Sequence, residues 1–415
     1  MLKHLTFSDR TSRWNRGWIA VCLALILPVT VLACEWDYDT LKQERSRFPS
    51  TLELITGKFW RHSPEFYEWR IKDRLERLKS EPKNLDLLDD LAVAYRKTGK
   101  TDRAIEVMLD KEKIKPGEYK TYSNLGTFYI LAGDFEKGLP YIDKALAINP
   151  NAHFGREKYQ KWLVEYAQSR MKDGKLTLPL RVKTYPQWPE ESTFDGFDDY
   201  VRKCEGTKYL SRAQVQAAIK GVQGMMRFAD YQNPLLLEAL GDLLLAGGGD
   251  DNARQLAARS YLQASYVVKD KEASLAYRNA AERALEHQVG KGRSETAKPQ
   301  EVLGDLETEF KGELAQAEKW YAAAKQKELA LIKDGRRVED EYDRLAAKPP
   351  SVSEINPVWF TREMRIFTML SILGIGMLVT MGVMFLGLRW LWKKISPDYH
   401  DRKLTPEGAN SSGSV

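Results

Sequence analysis

Apolar side chains recur at helical spacing along most of the chain, and between residues 85 and 150 the pattern itself repeats. Counted from Leu85 and again from Tyr119, two 34-residue units place large side chains at positions 4, 7, 11 and 24. Residues at this spacing share one helix face, so each unit predicts two amphipathic helices. Glycine at position 15 and proline at position 32 mark the turn within each unit and its end. The repeated residues are Leu88, Leu91, Ala92, Tyr95, Gly99, Ala104, Met108 and Pro116, then Tyr122, Leu125, Gly126, Tyr129, Gly133, Gly138, Ile142, Ala145 and Pro150.

This period, with its alternation of large and small residues, resembles the tetratricopeptide repeat. The second unit is the closer match, although Gly138 replaces the usual alanine. In the first unit Lys111 stands where a small residue is expected. The resemblance implies an all-α array in which helix pairs stack and the first helix of each pair lines a concave groove.

The groove positions of tetratricopeptide proteins are commonly the second, fifth, ninth, twelfth and thirteenth of each unit. In this chain they are Asp86, Asp89, Val93, Arg96 and Lys97, then Lys120, Ser123, Thr127, Ile130 and Leu131. Asp89 and Val93 stand where the family's carboxylate clamp has a lysine and an asparagine, so recognition of a C-terminal carboxylate is not implied. These residues either bind a protein partner or only solvate one face of a short array.

The segments around the two units predict further organisation. Residues 34–84 predict a helical lead-in, residues 85–175 hold the repeats and a capping helix, and the prolines of 176–208 predict an irregular connector or a short strand. Helical spacing returns over 209–290, with a capping box at Ser211 and Gln214 and a degenerate third unit. Residues 291–348 predict long charged helices with a narrow apolar seam suited to a coiled coil, followed by a proline-rich spacer at 349–363.

The N-terminal segment, residues 1–33, has a basic lead and then an apolar run, as in a secretory signal peptide. An uncleaved signal anchor is the alternative, because the run nearly reaches the length of a membrane span. Residues 31–34 resemble a bacterial lipoprotein box in which Cys34 is lipidated, although Leu32 departs from that pattern. Each alternative exports the residues that follow.

A second hydrophobic segment predicts a transmembrane helix over residues 364–392. Within it, residues 366–388 carry no charge, and 23 residues form a helix about 34 Å long. Arg389, Lys393 and Lys394 follow the run, so the positive-inside rule predicts a short cytoplasmic tail, disordered over 393–415. The body is therefore expected on the periplasmic side of a cell membrane.

Composition and motifs argue against several functions. The net charge of +6 is spread over interleaved acidic and basic residues, which does not suggest nucleic-acid binding. No metalloprotease, nucleophile-elbow, phosphate-loop or dinucleotide motif occurs, and the three cysteines form no C-x-x-C pair. We therefore expect no enzyme activity, no metal and no cofactor, with Cys204 an idle or buried thiol.

These observations favour a membrane-anchored, periplasm-facing scaffold of bacterial type that binds an unidentified protein or peptide. One alternative is an envelope assembly factor or transmembrane sensor that relays a signal to the cytoplasmic tail. An enzyme with a composite site that no linear motif reveals is a further alternative. The chain could also associate with itself through the long helices or the transmembrane helix.

Overall fold

The computed structural model describes residues 35–37, 40, 48–181, 196–247, 251–285, 299–336, 338–339, 380–392 and 394. The chain divides into a larger unit, Met1–Pro350, and a smaller one, Ser351–Val415. The predicted signal segment and Cys34 lie outside the described residues. Most of the described residues are helical, and no strand occurs among them. The prediction of an all-α fold is confirmed in this part of the molecule.

The larger unit is built from α-helices, which follow one another with short connections between Thr51 and Arg170. They are α1 Thr51–Thr56, α2 Pro64–Ser80, α3 Leu85–Lys97, α4 Thr101–Ile114, α5 Tyr119–Leu131, α6 Phe135–Ile148, α7 Arg156–Arg170, α8 Phe197–Cys204, α9 Arg212–Phe228, α10 Pro234–Ala246, α11 Asp251–Val267, α12 Lys271–Leu285 and α13 Pro299–Lys333. Polar side chains cap the N-termini of several of these helices. They accept hydrogen bonds from the first backbone N–H groups, which have no partner within the helix. The capping box predicted at Ser211 and Gln214 is confirmed at the start of α9.

The two repeat units form the helix pairs α3–α4 and α5–α6. Helices α3 and α5 begin at Leu85 and Tyr119, the residues from which the repeat was counted. Gly99 and Gly133 have φ angles of 80° and 82°, which glycine adopts without steric cost, and each lies in the turn between paired helices. Gly126, the small residue at position 8 of the second unit, allows close packing of α5 and α6. A β-carbon on Gly126 would lie 2.5 Å from Ile142 Cδ1, so glycine is what lets α5 and α6 approach.

The third unit consists of α10 and α11, and it uses the same device. A β-carbon on Gly241 would lie 2.6 Å from the ring of Tyr261, which packs across it. The stretch expected to be an irregular connector contains helix α8 instead of a strand, among its described residues. The reason is amphipathic spacing: Phe197 and Val201, four residues apart, are both buried in the main core.

Helix α13 is 35 residues long and continuous to Lys333. Its apolar seam was expected to suit a coiled coil, but in the larger unit it packs on the body of the array. Phe310 stacks on Tyr266 with ring centroids 6.2 Å apart, and further along Trp320 meets Trp60 at 5.1 Å. Near its end, Leu331 packs with Phe66 of α2. The seam therefore finds its partners within the same chain.

In the smaller unit the structure describes residues 380–394 with the exception of 393. Residues 380–392 are helical and their apolar side chains are exposed. Among the helices that the structure describes, none has both the length and the apolar character needed to cross a membrane. Most of the predicted transmembrane helix and nearly all of the predicted tail lie outside the described residues.

Candidate peptide-binding groove

The predicted groove between α3 and α5 holds a segment of the same chain, residues 35–37. Arg96 and Lys97, at the C-terminal end of α3, both form ion pairs with Glu35. Lys97 Nζ lies 3.1 Å from Glu35 Oε2, and the Glu35 side chain is only 2% exposed. Two adjacent cations of the first repeat thus share one buried carboxylate.

The backbone of Trp36 is held by a single side chain from the second repeat. The Trp36 N–H donates to Asn124 Oδ1 at 2.8 Å, and Asn124 Nδ2 donates to the Trp36 carbonyl oxygen at 3.1 Å. Asn124 is fully buried in α5. Because an amide offers one acceptor and a donor, it can satisfy both polar groups of a peptide residue at once. This contact does not depend on the side chain of the residue that is held.

The Trp36 side chain and Asp37 make contacts that do depend on their chemistry. The indole meets Tyr119 edge-on with ring centroids 5.6 Å apart, and the Lys120 ammonium lies 5.8 Å from the indole centroid. Asp37 Oδ2 accepts a hydrogen bond from Arg70 Nη1 at 3.0 Å. Aromatic pairs and cations over indole rings are each favourable by about 0.5–1.5 kcal/mol. Side chains of the protein therefore contact an acidic, an aromatic and a second acidic residue in order, namely Glu35, Trp36 and Asp37.

Helix α9 closes the groove on one side. Lys97 donates to the carbonyl oxygens of Phe228 and Ala229, the latter at 3.2 Å. Burial lowers the pKa of Lys97, the neighbouring Arg96 cation lowers it further, and Glu35 opposes both effects. Beside the bound segment is a cavity of about 210 Å³. Its walls combine charged residues with apolar and aromatic ones, including Phe59, Tyr67, Val93, Phe228 and Tyr231.

The other predicted groove residues separate into two groups. Asp86 and Lys120 are paired at 2.9 Å at the exposed edge of the groove, while Asp89 is buried. Ser123, Thr127 and Ile130 are also buried, and Leu131 is half-buried. The Ser123 hydroxyl donates to Glu157 Oε1 at 3.3 Å, and Gln160 Nε2 donates to Thr127 Oγ1 at 3.1 Å. Glu157 and Gln160 belong to α7, so this end of α5 is covered by the helix that stacks next to it.

A second group of polar residues was not identified in the sequence. Glu238 and Asp242 occupy the fifth and ninth residues of α10, counted from Pro234. Glu238 accepts hydrogen bonds from the backbone N–H groups of Leu180 and Arg181 at 3.1 and 3.0 Å. Asp242 accepts from the N–H of Phe197 at 2.9 Å. The concave side of the third unit therefore also holds chain backbone.

Two carboxyl groups at this site, those of Glu238 and Asp198, have raised pKa values. Burial raises the pKa of Glu238 to about 7, and the neighbouring Asp242 carboxylate adds to the rise. Burial and Asp242 likewise raise the pKa of Asp198 to about 7. Arg181 lies 2.7 Å from Asp242 and balances part of this negative charge. The signal in the sequence is two acids, four residues apart, within an otherwise leucine-rich helix.

Two features of the described residues bear on catalysis, namely possible metal ligands and the thiol of Cys204. No group of three or more His, Cys, Asp or Glu side chains that could hold a metal ion occurs among them. Cys204 is exposed, and its thiol pKa is raised by partial burial and by Glu165 and Glu205. A raised pKa lowers the fraction of Cys204 that is present as thiolate, and the thiolate is the nucleophilic form of cysteine.

Comparison with known proteins identifies one part of the chain. Residues 119–152 match the tetratricopeptide repeat family, which confirms the prediction for the second unit. No curated protein matches the chain. Tetratricopeptide repeats generally form non-enzymatic scaffolds, so the match indicates a protein-interaction scaffold and no catalytic family.

Proposed function

We propose that this chain is a membrane-anchored scaffold that binds a segment of a partner protein between α3 and α5. The observation that carries the proposal is the pair of hydrogen bonds between Asn124 and the backbone of Trp36. A groove that satisfies the polar groups of one chain segment can do the same for a partner's backbone, because these contacts do not involve side-chain identity. Arg96, Lys97 and Lys120 supply a positive charge that favours an acidic segment.

The proposed location rests on the two hydrophobic segments of the sequence. The basic lead and apolar run of residues 1–33 support export, and the uncharged run at 366–388 supports a membrane anchor. Arg389, Lys393 and Lys394 favour a cytoplasmic tail. In this arrangement the groove faces the periplasmic side, and the partner is an envelope protein or the exported part of a membrane protein.

The binding proposal is tested by crosslinking in cells, detergent extraction and mass spectrometry. The test variant neutralises the groove with Arg96→Gln, Lys97→Gln and Lys120→Gln. The matched control is Lys79→Gln, Arg103→Gln and Lys113→Gln, which removes three exposed cations on α2 and α4, away from the groove. We expect a discrete partner that the wild-type chain and the control capture and the groove variant does not. Equal capture by all three chains would show that the groove is not the binding surface.

The proposed location is tested separately. The chain carries a C-terminal epitope tag, and protease is added to cells whose outer membrane has been permeabilised. We expect the protease to remove the body while the tag stays protected on a short membrane-bound fragment. Release of the tag together with the body would contradict the proposed anchor. Protection of the body would contradict export.

A further inference from the structure

We infer that residues Glu35–Asp37 are an intramolecular occupant of the groove, and that the partner presents an acidic–tryptophan–acidic segment which replaces them. The inference rests on the proposed function, since it names the chemistry of the partner for the same groove. It goes further in two respects. It assigns a sequence pattern to the partner, and it makes binding depend on release of the chain's own segment.

The charges of the groove require an acidic occupant. Arg96 and Lys97 are adjacent in sequence, and both contact the buried carboxylate of Glu35. A buried cation without a counter-charge is costly, and two neighbouring cations also repel each other. Arg70, which is fully buried and is also paired with Glu339 at 2.8 Å, contacts Asp37 Oδ2 at 3.0 Å. A partner that displaced the segment without supplying a carboxylate would leave Arg96 and Lys97 without the one they share in Glu35.

The position between the two acids requires an aromatic side chain. Tyr119 meets the Trp36 indole edge-on, and Lys120 lies near the indole ring. Trp36 is only 8% exposed, so most of its surface is removed from water in this site. Tryptophan also gives the strongest cation–π contact among the aromatic side chains. The groove thus distinguishes tryptophan from an aliphatic residue by geometry as well as by area.

The segment does not fill the groove completely. The cavity of about 210 Å³ lies alongside Glu35 and Asp37, and its walls include Tyr67, Phe228 and Tyr231. A partner segment with an additional apolar side chain near its second acid could occupy this space and gain contacts that the chain's own segment does not make. This difference gives a partner a means of competing with a segment that has the advantage of being tethered.

The tether determines the size of the expected effect. A segment joined to its own groove is present at a high effective concentration, so it competes strongly with a free peptide. If the groove is open one-tenth of the time, the apparent affinity for an added peptide falls about tenfold. Weakening the chain's own segment should therefore strengthen binding of the same sequence added in trans.

The test uses the full chain in detergent and a fluorescent peptide with the sequence Glu-Trp-Asp-Tyr-Asp-Thr, acetylated and amidated at its ends. Fluorescence anisotropy measures its binding to the wild-type chain and to Glu35→Gln, Asp37→Asn. We expect the double variant to bind about tenfold more tightly than wild type. Adding Asn124→Ala should abolish the gain, whereas adding Lys113→Ala, at an exposed site on α4, should not. Equal binding by wild type and the double variant, or a gain that survives Asn124→Ala, would overturn the inference.

A second measurement needs no variant. Hydrogen exchange of the wild-type chain, followed by mass spectrometry, reports whether the N–H of Trp36 stays bonded to Asn124. An excess of the peptide should accelerate exchange at residues 35–37, and a peptide of the same composition in scrambled order should not. Peptide binding without faster exchange would place it outside the groove and overturn the inference. If a cellular partner still depends on Arg96, Lys97 and Lys120 in that case, the proposed scaffold function stands while the exchange of segments does not.

Discussion

Lys111 Nζ lies 2.6 Å from Asp89 Oδ1, and the two side chains are 0% and 3% exposed. Lys111 occupies the position of the first unit where the second unit has Ala145, and Asp89 occupies the position of Ser123. A long cation is thus tolerated at a site for a small residue because an acid on the paired helix accepts it. Burial raises the pKa of Asp89 to about 7, and the Lys111 ammonium opposes that rise.

The first prediction concerns this pair. Lys111→Ala leaves Asp89 buried without its main counter-charge, and breaking a buried pair in this way costs about 3 kcal/mol. We expect the full loss in the free energy of unfolding at pH 8 and a smaller one at pH 5, where the carboxyl takes up a proton. The double variant Lys111→Ala, Asp89→Ser reproduces the residues of the second unit and should recover most of the loss. Urea unfolding followed by circular dichroism provides the measurement, and equal losses at both pH values would contradict the role assigned to Asp89.

The second prediction concerns Gly138, which stands where the repeat usually has alanine. Its β-carbon would lie 2.7 Å from Ile130 Cγ1 and 3.0 Å from the carbonyl oxygen of Gly126. Alanine normally stabilises a helix relative to glycine, but overpacking here should cost about 1–3 kcal/mol. Gly138→Ala is therefore expected to lower the melting temperature. The matched control is Gly312→Ala, an exposed position of α13 with no atom near its β-carbon, which should raise the free energy of unfolding by about 0.5–1 kcal/mol.

The third prediction is a loss of stability as pH rises toward neutrality. The folded-state pKa values of Glu238 and Asp198 are raised to about 7, so the folded chain binds more protons than the unfolded chain above about pH 4. The free energy of unfolding should fall between pH 5 and 7, by on the order of 2 kcal/mol. Melting temperatures across this range test the slope. Glu238→Gln should reduce it, and the exposed control Glu136→Gln should leave it unchanged.

The fourth prediction has the opposite sign and a different location. Arg278 donates to both carboxylate oxygens of Glu307, at 3.0 and 2.7 Å. Hydrogen bonds from Arg278, with further ones from Lys311 and Tyr266, lower the pKa of Glu307 to about 2. The contribution of ionised Glu307 to the free energy of unfolding is therefore complete above about pH 4.5, and it is lost as pH falls toward 2. Because Arg278 is partly exposed, we expect about 1 kcal/mol or less. Arg278→Ala should flatten the acid limb of the stability curve measured by urea unfolding.

The helix pairs could be predicted because the information about them is local. Leu85 and Tyr119 begin helices in the structure as the period required, and Gly99 and Gly133 lie in the turns. Each of these features depends on residues within one unit. Side-chain spacing and the backbone freedom of glycine are sufficient to define them.

The content of the groove could not be predicted in the same way. Trp36 and Asn124 are 88 residues apart, and no periodicity connects them. The role of the fifth and ninth positions of α10 is likewise not predictable from the sequence, because Glu238 and Asp242 bind backbone groups of a connector whose path is not encoded in the repeat. Periodicity identifies which face of a helix is buried. It does not identify the segment that covers that face.

Helix α13 gives the array a property that the sequence of repeats alone would not have. Its residue Glu328 lies 2.5 Å from Nδ1 of His62 and accepts a hydrogen bond from the N–H of Ser63, so it holds the N-terminus of α2. In an open stack each unit contacts only its neighbours, and melting can spread inward from either end. In this chain α13, near the end of the array, is bound to the N-terminus of α2, near its start. Neither helix can separate from the array without breaking the contacts between them. Thermal unfolding of the body should accordingly be one cooperative transition, and Glu328→Ala should lower its midpoint temperature.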